Sequence, residues 1–355
     1  MTGEPFVFAV CGEKNTGKTT LTERLVAALT AQGMRVATVK HDGHEFAADV
    51  PCTDSYRHRA AGAYATAVFD GGKWMVVKSQ PQVGVEDLTA LFPEADIILL
   101  EGCKGSDYPK VQMLTAEKNA FVCNRQNLVA FVSDGTAAPV ENIPCYDRND
   151  IASIASVVLR EKFIRSELSM IVLAGGLSRR MGTDKADLPY GGETFLEHQI
   201  ALGRELGISD ILVSGYRGEN CSAPVVEDNF HRRGPLGGLE AALRRAKNDK
   251  CLVLTVDMPC LSAEVLRELI GRSMASERPV TVLRHGDKTE PLLGVYDRGL
   301  AEPIRAALEQ GRGTVMALLE QVGYEEFVCA SGGMFENINT QREYAALEGG
   351  EGCEA

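Results

Sequence analysis

Residues 6–19, Phe6-Val7-Phe8-Ala9-Val10-Cys11-Gly12-Glu13-Lys14-Asn15-Thr16-Gly17-Lys18-Thr19, set the fold of the first half of the chain. Six apolar residues in a row read as a strand buried on both faces. The turn after them matches G-x-x-x-x-G-K-[ST] in the strand-turn-helix context that this pattern requires. Its glycines let the backbone curl so that successive N–H groups face phosphate oxygens, and the start of the next helix adds a favourable dipole. Gly12, Asn15, Thr16, Gly17, Lys18, Thr19 and Thr20 are the expected nucleotide contacts, with Lys18 on the β- and γ-phosphates and Thr19 on Mg2+. A glycine turn that merely starts a helix is the competing reading, and the full motif in context argues against it. Leu21, Leu25, Val26 and Leu29 then recur at helical spacing, and Gly33 ends the helix.

Outward from this unit, short apolar runs alternate with amphipathic segments, the pattern of βα units and a mostly parallel sheet. Further strands are expected over 35–39, 65–69, 74–77, 97–100 and 128–132, a closing helix over 151–163, and a polar linker over 164–169. The chain then restarts: strand 170–174, the turn Gly175-Gly176, helix 195–206, and strands 211–213, 251–256 and 280–283. The fold class is therefore α/β in two domains. An N-terminal P-loop NTPase fold is expected over 1–163 and a C-terminal Rossmann-like fold over 170–348, both with mostly parallel sheets. The Gly- and Glu-rich tail 349–355 is expected to be disordered.

A P-loop needs an acid at a neighbouring strand end to hold its metal. Glu101 ends the run Ile97-Ile98-Leu99-Leu100 and fits that role, although a solvated strand-end carboxylate has the same spacing. Lys40-His41, with His44, ends the second strand on the same edge; no third ligand accompanies them, so no metal is assigned there. Asp54-Ser55-Tyr56-Arg57 reads as a switch or substrate contact, or as a helix start with Asp54 as its cap. No Asn-Lys-x-Asp motif reads a guanine base in this half.

Composition narrows the partners. The net charge of −12 over 355 residues argues against nucleic acid and anionic membranes, which attract basic surfaces. The ten cysteines include no C-x-x-C pair and suggest free thiols in a reducing compartment. No leader and no membrane-length apolar run are visible, so a cytoplasmic location is expected.

In the second half, Leu173-Ala174-Gly175-Gly176 is followed by Arg179, Arg180 and Lys185, so that a glycine turn close to three cations follows a strand. Such a loop brings backbone to a triphosphate and supplies charge during attack at phosphorus. Alone, it is equally a flexible turn with nearby surface charge. Cys251 to Val256 delivers Asp257 at a strand end, and one carboxylate with substrate phosphates suffices for Mg2+. Asp228 is a second strand-end acid or a loop carboxylate, and Gly234-Pro235-Leu236-Gly237-Gly238 opens a helix where backbone can approach a ligand.

With Arg180-Met181-Gly182, Asp184-Lys185, Asp257-Met258-Pro259 and Asn337-Ile338-Asn339-Thr340, the second half resembles molybdenum cofactor guanylyltransferase. The first half, through its P-loop, Val39-Lys40-His41, Asp54-Ser55-Tyr56, Ala61-Gly62-Ala63 and Leu100-Glu101-Gly102, resembles the molybdopterin-guanine dinucleotide biosynthesis adapter protein. The chain thus looks like a fusion of the two. The resemblance implies GTP as substrate, Mg2+ as cofactor, and transfer of GMP to the terminal phosphate of molybdopterin or molybdenum-molybdopterin with release of pyrophosphate. It places Leu173, Ala174, Gly175, Gly176, Lys185, Ser214, Asp228 and Asp257 at GTP, Lys185, Asp257 and Arg180 in catalysis, Asp257, Thr19 and Glu101 at metal, and Asn337 and Asn339 at the acceptor. It implies a GTP-binding first half that assists or delivers, with weak GTPase activity, self-association through that half, and molybdoenzymes or their chaperones as partners. Ser214 stands where the family often has Asn, and Gln341 where it usually has Pro. Residues alone leave open a cytidylyl or uridylyl transferase acting on a pterin or sugar phosphate, and a first half that is a non-catalytic adaptor.

Overall fold

The computed structural model describes residues 4–42, 46, 48–140, 143–175, 184–230, 234–311, 314–329, 337–338 and 340–348. The expectations for His44, Gly176, Arg179, Arg180, Asn339 and the tail 349–355 lie outside the described residues. The chain divides into two units, Met1–Val157 and Val158–Ala355.

The first unit runs β1 (Phe6–Gly12), α1 (Lys18–Ala31), β2 (Val36–Lys40), α2 (Asp54–Ala60), β3 (Ala65–Phe69), β4 (Trp74–Lys78), α3 (Val85–Thr89), β5 (Ile97–Glu101), β6 (Lys110–Met113), β7 (Leu128–Ser133) and β8 (Cys145–Asp147), and the division at Val157 falls within α4 (Ile151–Ser166). Its six-stranded sheet has the order β2-β5-β1-β6-β7-β8, parallel throughout. The central β1 is buried along its apolar run, as an uninterrupted apolar strand requires. The register sets Val10 of β1 and Lys40 of β2 on either side of Glu101, so the strand-end acid lies beside the P-loop strand.

Two strands expected within the parallel sheet leave it. β3 and β4 form a separate antiparallel hairpin with Phe69 and Trp74 exposed. Residues 70–73 are too short for a parallel crossover, and Asp70 closes the turn by accepting from the N–H groups of Gly72 and Lys73. β6 was not expected, because Lys110 and Gln112 interrupt its apolar character. Both are buried and satisfied: Lys110 Nζ donates to Ser106 O, and Gln112 bonds Ala120 O and Val122 N.

The second unit continues with β9 (Leu168–Leu173), β10 (Pro189–Tyr190), β11 (Glu193–Thr194), α5 (Phe195–Leu206), β12 (Asp210–Ser214), β13 (Val225–Val226), α6 (Pro235–Arg245), β14 (Lys250–Thr255), α7 (Ala263–Ala275), β15 (Val280–His285), β16 (Lys288–Asp297), α8 (Ala301–Glu309), α9 (Val315–Val322), β17 (Glu325–Cys329) and α10 (Gln341–Glu348). The order β13-β12-β9-β14-β16-β15-β17 makes a mostly parallel sheet in which β16 alone runs against its neighbours. The chain steps from β9 outward to β12 and β13, then returns to β14 on the other side of β9. That reversal creates the crevice at the carboxyl ends of β9 and β14 where open α/β sheets bind ligands. Residues 164–169, read from sequence as a linker, are instead the last turn of α4 and the start of β9. Buried Glu161 anchors that turn, accepting from Arg165 at 2.5 Å and from Arg267 of α7 at 3.0 Å.

No helix among the described residues is long and apolar enough to cross a membrane. Among the described residues eight cysteines, including Cys11, Cys123 and Cys251, are free thiols, but Cys260 is disulfide-bonded, so the expectation of free thiols throughout does not hold.

Candidate functional site

In the first unit the phosphate loop leaves β1 through Gly12 at φ +140°, Asn15 at +64° and Gly17 at +97°, so it uses the left-handed region three times in six residues. Lys18 Nζ folds back onto the loop and donates to Glu13 O at 2.6 Å. Burial lowers the Lys18 pKa, and the carboxylate of Glu101 opposes that shift. Thr16 Oγ1 also donates to Glu13 O, at 3.0 Å. Thr20 is exposed on the first turn of α1. Thr19 Oγ1 donates to Glu101 Oε1 at 2.7 Å, and Lys40 Nζ lies 3.2 Å from the same oxygen. At 9% exposure Glu101 is a buried carboxylate rather than a freely solvated one. A hydroxyl and a carboxylate side by side are the hard oxygen donors that Mg2+ prefers.

Sequence reasoning missed Arg148, which follows β8. Its Nη2 donates to Thr16 O at 3.3 Å, and a Cβ on Gly17 would lie 2.3 Å from that same nitrogen. Only glycine therefore admits the guanidinium against the loop. The signal was invisible because 132 residues separate Arg148 from Thr16. At α2 the cap is Thr53, whose Oγ1 accepts from Tyr56 N, so Asp54 is not the cap; Ser55 is turned inward and donates to Asp49 Oδ1.

In the second unit, Gly175 follows β9 against Gly215, and a Cβ on Gly215 would fall 2.6 Å from Gly175 Cα. This backbone-on-backbone approach requires glycine at 215, where φ is +83°, while a Cβ on Gly175 would lie 3.2 Å from Gly215 Cα. Two main-chain groups expected at the nucleotide are engaged in the sheet: Ala174 N donates to Ser214 O at 2.8 Å, and Leu173 O accepts from Val256 N at 3.3 Å. Ser214 itself is 1% exposed, with its hydroxyl unpaired beneath Gly238, where a Cβ would lie 2.5 Å from Ser214 Oγ. Asp228 packs against Gly237 at the start of α6 and accepts from Phe230 N at 2.7 Å, a loop turn of the kind a carboxylate commonly makes.

The charged centre lies where β14 ends. Lys185 Nζ is 3.5 Å from Asp257 Oδ2, with side-chain exposures of 15% and 24%. Asp257 Oδ1 accepts from Thr255 Oγ1 at 2.6 Å. With the Asn337 amide oriented by its hydrogen-bond partners, its nitrogen donates to Asp257 Oδ1 at 3.2 Å and its oxygen accepts from Lys288 Nζ at 3.1 Å. Ile338 N donates to Asp257 O at 2.8 Å, which fixes the segment carrying Asn337 to the strand end. Lys185, Asp257 and Asn337, far apart in sequence, are thus brought together. Lys288, with Glu290 at 2.5 Å and His285 3.0 Å from Glu290, joins them unannounced by the sequence. Among the described residues no three His, Cys, Asp or Glu gather as a metal cage. The single partly exposed carboxylate of Asp257 suits an ion completed by substrate phosphates.

A mostly parallel sheet that brings Gly175, Lys185 and the strand-end Asp257 to one carboxyl edge fits a nucleotidyltransferase of Rossmann-like fold. Residues 170–325 match the family model of the MobA-like NTP transferase domain, and residues 7–134 that of molybdopterin guanine dinucleotide synthesis protein B. The probable molybdenum cofactor guanylyltransferase of Carboxydothermus hydrogenoformans is 35% identical over 196 residues, covering 51% of this chain and 94% of that protein. That of Pelotomaculum thermopropionicum is 37% identical over 141 residues, covering 39% and 67%. Among solved structures, the MobB protein homologue from Bacillus stearothermophilus is 28% identical, with a TM-score of 0.36, and covers 45% of this chain and 99% of its own. The chain belongs to the molybdenum cofactor guanylyltransferase family, with a MobB-type half fused before the transferase half.

Proposed function

We propose that the second unit transfers GMP from GTP to the terminal phosphate of molybdopterin, or of its molybdenum-loaded form, and that the P-loop unit binds GTP and assists that transfer or delivers its product. The observation that carries this reading is the convergence of Lys185 and Asn337 on the two oxygens of Asp257. An oxygen of the acceptor phosphate forms a bond to the α-phosphorus of GTP, the bond from that phosphorus to the bridging oxygen breaks, and pyrophosphate leaves. No general base is required, because the acceptor oxygen is already anionic near neutral pH. Catalysis then reduces to aligning two anions and offsetting their charge. Lys185 neutralises the triphosphate as charge shifts toward the leaving group, and the loop at Gly175 lets backbone approach it. Arg180, from the same loop motif, is assigned a neighbouring charge role, and Asn337 and Asn339 the acceptor side.

Asp257 in the second unit, and Thr19 with Glu101 in the first, are the residues that would hold Mg2+, which supplies charge neutralisation at the phosphates. We place the protein in the cytoplasm, and assign self-association through the first half and product delivery to molybdoenzymes or their chaperones. Offering each nucleoside triphosphate separately with molybdopterin tests the reading. GTP should be used in strong preference, whereas preference for CTP overturns it. Lys18→Ala should abolish nucleotide binding by the first unit; unchanged binding removes any role for that site.

A further inference from the structure

From the second unit's charged centre we infer that Lys288 binds the phosphate monoester of the acceptor, on the side of Asp257 away from the triphosphate. The inference rests on the guanylyl-transfer reading and assigns a residue that neither the motifs nor the sequence pattern single out. In an in-line displacement the attacking and leaving oxygens stand on opposite sides of the phosphorus. Two anions must therefore be met by cations on two sides, in a chain whose net charge is −12. Near pH 7 a phosphate monoester carries between one and two negative charges, since its second pKa is about 6.

Asp257 separates two such cations. Lys185 meets Oδ2, and on Oδ1 the amide of Asn337 leads to Lys288. If the Lys185 side takes the triphosphate, the Lys288 side is left for the acceptor. Lys288 stands at the start of β16, paired across the turn with His285 of β15, and that turn is made at Gly286 with φ +53°. Its partner Glu290 is 6% exposed and also within 3.0 Å of His285 Nε2, so the carboxylate is held in the fold and fixes where the ammonium lies. Lys288 itself is 56% exposed. An ammonium has three donors. Glu290 and Asn337 take two, and the third is available to a ligand arriving from solvent.

A plain surface ion pair is the alternative. It predicts a small stability effect and no effect specific to one substrate.

The test compares the full chain with Lys288→Ala and Lys288→Arg in transfer from GTP to molybdopterin, and in direct binding of molybdopterin and of its dephosphorylated form. Lys288→Ala is expected to raise the acceptor KM by about ten- to a hundredfold, the size of one charge-assisted hydrogen bond, while the GTP KM stays within about twofold. Lys288→Arg should recover most of that loss. In binding, the variant should lose affinity for molybdopterin and none for the dephosphorylated form. An acceptor KM within about twofold of wild type, or an equal rise for both substrates, overturns the inference. Absence of transfer in the wild-type chain would instead count against the guanylyl-transfer reading. The two binding measurements would then still decide Lys288: a loss confined to the phosphorylated pterin supports it, and equal affinities of variant and wild type overturn it.

Discussion

Replacing Lys185 by alanine should slow guanylyl transfer about a hundredfold or more while leaving the fold intact. Its ammonium lies 3.5 Å from Asp257 Oδ2 and its side chain is 15% exposed, so it acts in a partly desolvated site. At an effective dielectric of about 20, unit charges about 4 Å apart interact by about 4 kcal/mol, a ceiling for one lysine-phosphate contact. Part of that interaction already exists with bound GTP and is reflected in KM; only the part that grows as charge moves to the leaving pyrophosphate lowers the barrier. Loss of a single preorganised donor in comparable sites costs about 10²–10³ in kcat. We therefore expect kcat to fall about a hundredfold and kcat/KM by up to about a thousandfold. Lys185→Arg should fall between, because a planar fork replaces a compact point charge. Asp257 keeps Thr255 and Asn337 as partners in the variant, so Tm should move by no more than about 2 °C, corresponding to under about 1 kcal/mol. Steady-state rates with GTP varied at saturating acceptor provide the assay. A kcat for Lys185→Ala within about threefold of wild type refutes the reasoning.

Three further outcomes probe the scaffold and its thiols. Gly238→Ala places a methyl 2.5 Å from buried Ser214 Oγ and should destabilise by about 1–3 kcal/mol. Adding Ser214→Ala should recover most of that in chemical denaturation, and a double variant no better than the single would contradict the packing. Glu161→Ala leaves Arg165 and Arg267, with side chains 17% and 13% exposed, without their shared carboxylate. A cost of about 3–5 kcal/mol, or roughly 6–20 °C in Tm for the second unit, is expected by calorimetry, and a shift under about 2 °C would count against it. Burial pushes the Cys251 thiol up to about 12, so at pH 8 it holds almost no thiolate, the reactive form. Iodoacetamide in the folded chain should label the exposed Cys52 and Cys145 and spare Cys251; fast labelling of Cys251 would show that its strand is open.

Much of the frame was legible because its determinants are local. The P-loop, α1 with its end at Gly33, and α5 from Phe195 to Leu206 follow from glycines, caps and helical spacing within a few residues of one another. β6 and β16 escaped notice for a physical reason. Lys110 and Gln112 in β6, and Glu290 in β16, do not read as strand residues until partners elsewhere satisfy them, and Pro291 falls in the bulge where the β15–β16 register shifts. The hairpin of β3 and β4 shows the opposite error, since its apolar strands have the composition of a core but lack a crossover long enough to enter one. At the site, Asp257 and Lys185 were visible as a strand-end acid and a loop cation. That the second oxygen of Asp257 leads through Asn337 to Lys288 depends on the β15–β16 turn, which no spacing along the chain encodes.

The most direct measurement uses the purified chain with Mg2+, molybdopterin and GTP labelled either at the α- or at the γ-phosphorus, followed by separation of the pterin product. The α-label should appear in a guanine dinucleotide and the γ-label in pyrophosphate. Label from the γ-position in the pterin, or no α-label transferred from GTP while CTP is consumed, would contradict guanylyl transfer.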